Sequence, residues 1–141
     1  MIFTLLRQAA LAASVLGSLS IPTVSFPTAA HAEEARQAKL VQYSADTDLP
    51  ALAKNGKTVV FFFATWCPNC ILTLTELSEK WADVDPDVTV VIADYDQETD
   101  LKAKYGVTYQ DTFVLLDHEA NSAKLWNAGG VAGLNENVRT Q

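Results

Sequence analysis

Cysteine, histidine, methionine and basic residues are all scarce in this chain. Its 141 residues hold two Cys, two His, one Met and ten Lys plus Arg, against seventeen Asp plus Glu, for a formal net charge of −7. Two cysteines three positions apart exclude a disulfide-stapled scaffold, since such a framework needs several pairs and a crosslink stabilises mainly by closing a long loop. The shortage of Lys and Arg argues against nucleic acid as a partner, because phosphate binding depends on clustered positive charge. No apolar run reaches the about 20 residues that a membrane-spanning helix needs. The chain also lacks an internal repeat, a low-complexity segment, a Ser-His-Asp set and a phosphate-cradling glycine loop.

The N-terminal part is almost uncharged. Arg7 is the only charged residue before Glu33, Ala9 to Ile21 are small and branched apolar residues, and Pro22 and Pro27 follow. Ala30-His31-Ala32 fits the small-x-small rule for cleavage ahead of Glu33-Glu34. Residues 1–32 are therefore predicted to be a cleaved secretory signal peptide and 33–141 a single domain. The mature chain is then expected in the periplasm or otherwise exported, with no stable membrane insertion after cleavage. It carries 9 basic and 17 acidic residues, net −8, and His118 as its only histidine. One such chain cannot complete a tetrahedral Cys/His zinc site.

What is present centres on Phe61-Phe62-Phe63-Ala64-Thr65-Trp66-Cys67-Pro68-Asn69-Cys70. An apolar strand runs into a turn, and a helical pattern starts at once. Cys67 stands where the N-cap belongs, and Pro68 suits the first helical position because its missing N–H costs nothing there. Free N–H groups and the helix dipole stabilise a thiolate at that end. Cys70 returns to the same face three residues on, close enough to attack a mixed disulfide on Cys67. The pattern predicts an exposed attacking sulfur and a sheltered resolving one.

Around this stretch, Lys39 to Ser44 reads as a strand, and Asp46 as the N-cap of a helix near Thr47 to Lys54 that Asn55-Gly56 ends. Thr58 to Ala64, apolar on both faces, suits the buried central strand of a parallel sheet. The helix from Pro68 runs to about Ala82, with Ile71, Leu74, Leu77 or Ser78, and Trp81 as its buried face and Glu76–Lys80 paired outside. Val88 to Ala93 is a strand, Glu98 to Tyr105 a helix stopped at Gly106, and Thr112 to Asp117 with Lys124 to Asn127 a hairpin. A last helix carries Val131, Leu134 and Val138 on one face. This β-α-β-α-β-α-β-β-α order is an α/β sandwich, a parallel half joined to an antiparallel hairpin with helices on both faces. Trp81, Trp126, Phe62 and Phe113 read as core. Asp94, Asp96, Glu98 and Asp100 alternate like a calcium loop, but Thr99 stands where the turn glycine belongs and Tyr105 where the bidentate Glu belongs, so capping explains them better.

Over nearly its whole mature length the chain resembles the thioredoxin fold. Trp66-Cys67-Pro68-Asn69-Cys70 after the apolar strand, Asp94-Tyr95-Asp96, Lys104-Tyr105-Gly106-Val107 and Thr112-Phe113-Val114-Leu115-Leu116-Asp117 carry the likeness. The resemblance implies a thioredoxin-like α/β fold and a thiol–disulfide oxidoreductase, with Cys67 as nucleophile, Cys70 as resolving thiol and no cofactor beyond the two sulfurs. Trp66, Pro68, Asn69, Asp111 and Thr112 would contact the substrate. Partners would be protein disulfides and, upstream, a membrane thiol reductase donating electrons. The alternatives at this level are a non-catalytic binding module and a dimer holding a metal or iron–sulfur centre through four cysteines.

Two positions depart from the family pattern. The loop facing the cysteines usually carries a cis-proline immediately before a Thr, and Asp111 stands there, so a trans bond and an altered groove are expected. A carboxylate near Cys67 would disfavour its thiolate and favour a reductant. Phe61 stands six residues before Cys67, where thioredoxins often bury an Asp that receives the resolving thiol's proton.

Overall fold

A computed structural model describes residues 36–139. The predicted signal peptide lies outside them. The elements are β1 (Lys39–Gln42), α1 (Leu49–Asn55), β2 (Lys57–Phe63), α2 (Pro68–Glu79), a short 3-10 turn (Trp81–Asp83), β3 (Val88–Asp94), α3 (Thr99–Tyr105), β4 (Thr112–Leu116), β5 (Ser122–Asn127) and α4 (Gly130–Val138). They build one five-stranded sheet in the order β1-β3-β2-β4-β5. β1, β3 and β2 are parallel, while β4 runs antiparallel to β2 and to β5. This is the predicted mixed sheet.

Strand side chains alternate between two faces, and each face carries its own core. On one, Val59, Phe61, Val90, Phe113 and Leu115 pack with Leu77 of α2 and with Val131, Leu134 and Val138 of α4. On the other, Val60, Phe62, Val91, Val114 and Leu116 pack with Leu49 and Ala53 of α1 and with Leu101 and Tyr105 of α3. β2 is buried on both faces, which is why its sequence is an unbroken apolar run. It has a strand on each side, so the segment leading to Cys67 hangs from the middle of the sheet. Phe61 stacks on Phe113 with ring centroids 4.4 Å apart, and Phe113 stacks on Trp126 at 5.4 Å.

Several boundaries differ from the sequence expectation. β1 ends at Gln42, although the Tyr43 N–H still donates to the Ile92 carbonyl at 2.8 Å. The cap of α1 is Asp48 rather than Asp46, its Oδ1 accepting from the Ala51 N–H at 2.9 Å. Thr47 instead closes a turn with Ser44, since Leu49 is the first residue with a core to enter. α2 stops at Glu79 and tightens into the 3-10 turn. Its buried residues are Cys70, Thr73 and Leu77, whereas Ile71 is 48% exposed, so the helix is rotated from the face expected. The reason is local: Cys70 is held inward at the first turn, and the residues three and seven positions later must follow it. The Glu76–Lys80 pair forms at 3.1 Å. α3 ends as expected at Gly106, whose φ of 70° suits a residue without a side chain.

Candidate active site

The site begins where β2 runs out. The Cys67 N–H donates to the Ala64 carbonyl at 3.1 Å, closing a turn that leaves Thr65 and Trp66 outside. Cys67 keeps an extended backbone and caps α2 with its own sulfur, its Sγ accepting from the Cys70 N–H at 3.2 Å. A sulfur in that position meets the positive end of the helix and an otherwise unpaired donor. Both cysteines are free thiols.

The expectation of one exposed sulfur needs correction. Cys67 is 3% exposed and Cys70 is fully buried. Turning its Sγ back over the helix end to make the cap is what draws Cys67 inward. Trp66, Pro68 and Asn69 are the exposed parts of the motif, and Ile71, Leu72 and Tyr109 add further exposed apolar surface on α2 and on the loop before β4.

Trp66 is not left loose. Its Nε1 donates to Asp96 Oδ2 at 2.7 Å. Asp96 is delivered by a turn that Asp94 builds, Asp94 Oδ1 accepting from the N–H groups of Asp96 at 2.8 Å and Gln97 at 3.0 Å. Two of the alternating acids, Asp94 and Asp96, are thus used in turn formation and in holding Trp66. Among the described residues no group of three or more His, Cys, Asp or Glu is arranged to hold a metal ion.

The side chains of Asp111 and Thr112 point inward. Thr112 is buried, its Oγ1 donating to the Tyr109 carbonyl at 2.6 Å and accepting from Asn127 Nδ2. Asp111 is preceded by a trans bond, as expected, and takes a φ of 57°. Its N–H donates to the Phe62 carbonyl at 3.0 Å and its carbonyl accepts from the Ala128 N–H at 3.0 Å, which ties the loop between β2 and β5. Its side chain turns towards α2 and bonds Thr73, while Oδ1 stays buried without a partner.

Burial pushes the Asp111 carboxyl above its ordinary range, and the Thr73 bond opposes that only in part. The Cys70 thiol is pushed up to about 12, first by burial, then by its hydrogen bond to Cys67, with the charges of Cys67 and Asp111 adding to the effect. A backbone bond with Ala64 works the other way. The carboxylate that the sequence placed beside Cys67 therefore bears on Cys70. Phe61 occupies the ground beneath the sulfurs, fully buried in its aromatic stack, so no carboxyl enters from β2.

Sequence reasoning missed Asp96 and Thr73. The acid pattern singled out Asp96 without showing what it grips. A polar Thr at the inward position three residues after Cys70 was the signal for the other.

A family model described as Thioredoxin matches residues 39–140. Thioredoxin-3, mitochondrial, of Saccharomyces cerevisiae is 38% identical over 64 residues, covering 45% of this chain and 50% of that protein. Thioredoxin-2 of Pyricularia oryzae is 35% identical over 65 residues, covering 46% of this chain and 37% of that protein. The matched segments thus span half or less of these relatives. Among solved structures, the oxidised form of mitochondrial thioredoxin 3 from Saccharomyces cerevisiae superposes with a TM-score of 0.59 at 24% identity, over 72% of this chain and 95% of that one. Fasciola hepatica thioredoxin gives a TM-score of 0.59 at 24% identity, over 72% and 97%. Those two likenesses are of fold, and the family model spans most of the sequence with the Cys67–Cys70 turn at the end of its central strand: the chain belongs to the thioredoxin family.

Proposed function

We propose that this protein is an exported thiol–disulfide oxidoreductase that reduces protein disulfides and is recharged by a membrane thiol reductase. One observation carries the reading: the Cys67 sulfur caps α2, 3.2 Å from the Cys70 N–H, with Cys70 buried directly behind it. Cys67 attacks a substrate disulfide, one substrate sulfur leaves as thiolate, and a mixed disulfide remains on Cys67. Cys70 then attacks Cys67, the second substrate sulfur leaves, and the protein keeps the Cys67–Cys70 disulfide. Two electrons pass from the pair to the substrate. No cofactor takes part.

The direction rests on the stability of the reduced pair. Strong oxidants of this chemistry stabilise their reduced form. Here the Asp111 carboxylate, close enough to act on Cys70, sets a negative charge beside the pair and disfavours an anionic reduced form. Among the described residues the connections between elements are short and hold no inserted domain of the kind that strong exported oxidants of this superfamily usually carry. Export rests on the sequence around Arg7, Ala9 to Ile21 and Ala30 to Ala32. The deciding measurement is the reduction potential of the pair in thiol buffers. A value near about −270 mV supports the reductant, and one near about −120 mV overturns the direction. A pair that does not cycle overturns the activity and leaves a binding module.

A further inference from the structure

The reaction above leaves one proton without a destination. Cys70 must lose it to attack Cys67, and its thiol is fully buried with a strong hold on that proton. On the face that meets it β2 offers only Phe61 and Phe63, neither of which ionises. Asp111 is the only buried carboxyl among the described residues. Its backbone bonds to Phe62 and Ala128 hold it against the end of β2, and its side chain meets Thr73, one helical turn beyond Cys70 on the same inward face of α2. Its Oδ1 has an open lone pair in a place that solvent does not reach. A buried acceptor left unpaired is costly, so its retention calls for a reason.

We propose that Asp111 accepts the proton of Cys70 as Cys70 resolves the mixed disulfide on Cys67, an assignment that rests on the redox reading above. The bond between Cys67 and the substrate sulfur breaks, the Cys67–Cys70 bond forms, and the leaving sulfur departs with the electron pair as thiolate. The proton passes from Cys70 to Oδ1 through one intervening water and is later lost to solvent. The elements around Asp111 bring no rival base. α2 presents Cys67 and Cys70, and its Glu76 pairs with Lys80 at 3.1 Å. Trp126, Asn127 and Ala128 on the β5 side, and Val131 and Leu134 of α4, do not ionise in the relevant range. A carboxyl raised by burial is a better match to a thiol donor than an ordinary one. Forming the mixed disulfide also helps, because it removes the Cys67 charge that otherwise holds the proton on Cys70.

A two-phase reaction tests this. The reduced full chain is mixed rapidly with an aromatic disulfide whose thiolate is coloured: the first phase of colour is attack by Cys67, the second is resolution by Cys70. Asp111→Asn suits the positive φ and keeps the shape. It is expected to slow the second phase relative to the first by about 100-fold and to abolish the limb that rises with pH as the carboxyl ionises. A second phase unchanged or faster in Asp111→Asn overturns the proposal, since a fixed negative charge alone would hinder Cys70 and its removal would help. Thr73→Val provides the readout if the first variant does not fold. Loss of a bond that favours the carboxylate raises the Asp111 pKa, so the same limb moves to higher pH, and an unmoved limb overturns the assignment. A wild-type chain that shows neither phase fails the redox reading itself. One that shows both phases without the predicted variant effects fails only the role of Asp111.

Discussion

The buried thiol of Cys70 makes the reduced protein sensitive to alkali, and the size of the effect follows from the structure. Unfolded, Cys70 ionises at its ordinary value of 9.0, and folded at about 12. Below 9.0 both states hold the proton, and the whole contribution of the protonated thiol to stability is present. As pH rises through this window the unfolded chain releases the proton and the folded chain does not. Stability therefore falls, and the loss is complete only at the folded value. Three units at about 1.36 kcal/mol each give about 4 kcal/mol in all, and about half of that midway through the window. Against the 5–15 kcal/mol of roughly any small domain this is a large share. Denaturant unfolding of the reduced protein and of Cys70→Ala, each across the same pH range, isolates the effect from Tyr and Lys titration common to both. The wild type should lose about 4 kcal/mol more than the variant between the two limits. Parallel curves would refute the reasoning, by showing that Cys70 ionises in the folded protein as readily as in the unfolded one.

Two further outcomes follow from the site. Asp111→Pro, which restores the family's usual residue, should destabilise the protein by about 3 kcal/mol or more, measured as a shift in denaturant midpoint. Proline cannot reach a φ of 57° and has no N–H for the Phe62 carbonyl, so a forbidden dihedral and a lost buried bond add. Asp96→Ala should release Trp66 at a cost of under about 1 kcal/mol in stability, the bond being exposed. Turnover of a protein disulfide should show a KM raised several-fold, while a small aromatic disulfide reacts as before. Equal losses on both substrates would mean that Asp96 acts on the sulfurs and not on the docking surface.

The parts of this molecule that were legible in the sequence are those that local pattern decides. The unbroken apolar run of β2 announced a strand buried on both faces, and Cys67 with Pro68 announced a helix start. Gly106 announced a helix end. Where two local signals compete, tertiary packing chooses. Asp46 and Asp48 are equally good caps by type, and the pocket that receives Leu49 selects the second. Ile71 has the right spacing for a buried face, yet the inward hold on Cys70 turns it out. Contacts between distant segments left still less trace. Thr73 and Asp111 lie 38 positions apart, and Trp66 and Asp96 lie 30 apart. The departure at Asp111 could be read from the sequence, but its direction of action could not. Only the positive φ and the bond to Thr73 show that its side chain turns towards α2.

The full burial of Cys70 also makes it a gauge of local opening. An alkylating reagent reaches that sulfur only when the first turns of α2 lift from the sheet, as buried amides exchange only through such excursions. With reagent in excess and closing fast, the ratio of the labelling rate to that of an unfolded thiol is the fraction of time the helix stands open. α2 is bonded through Thr73 to Asp111, immediately before β4, so the excursion must break that bond as well. The resolving sulfur is thus a built-in probe of how often the site takes itself apart, readable in the same cuvette as its chemistry.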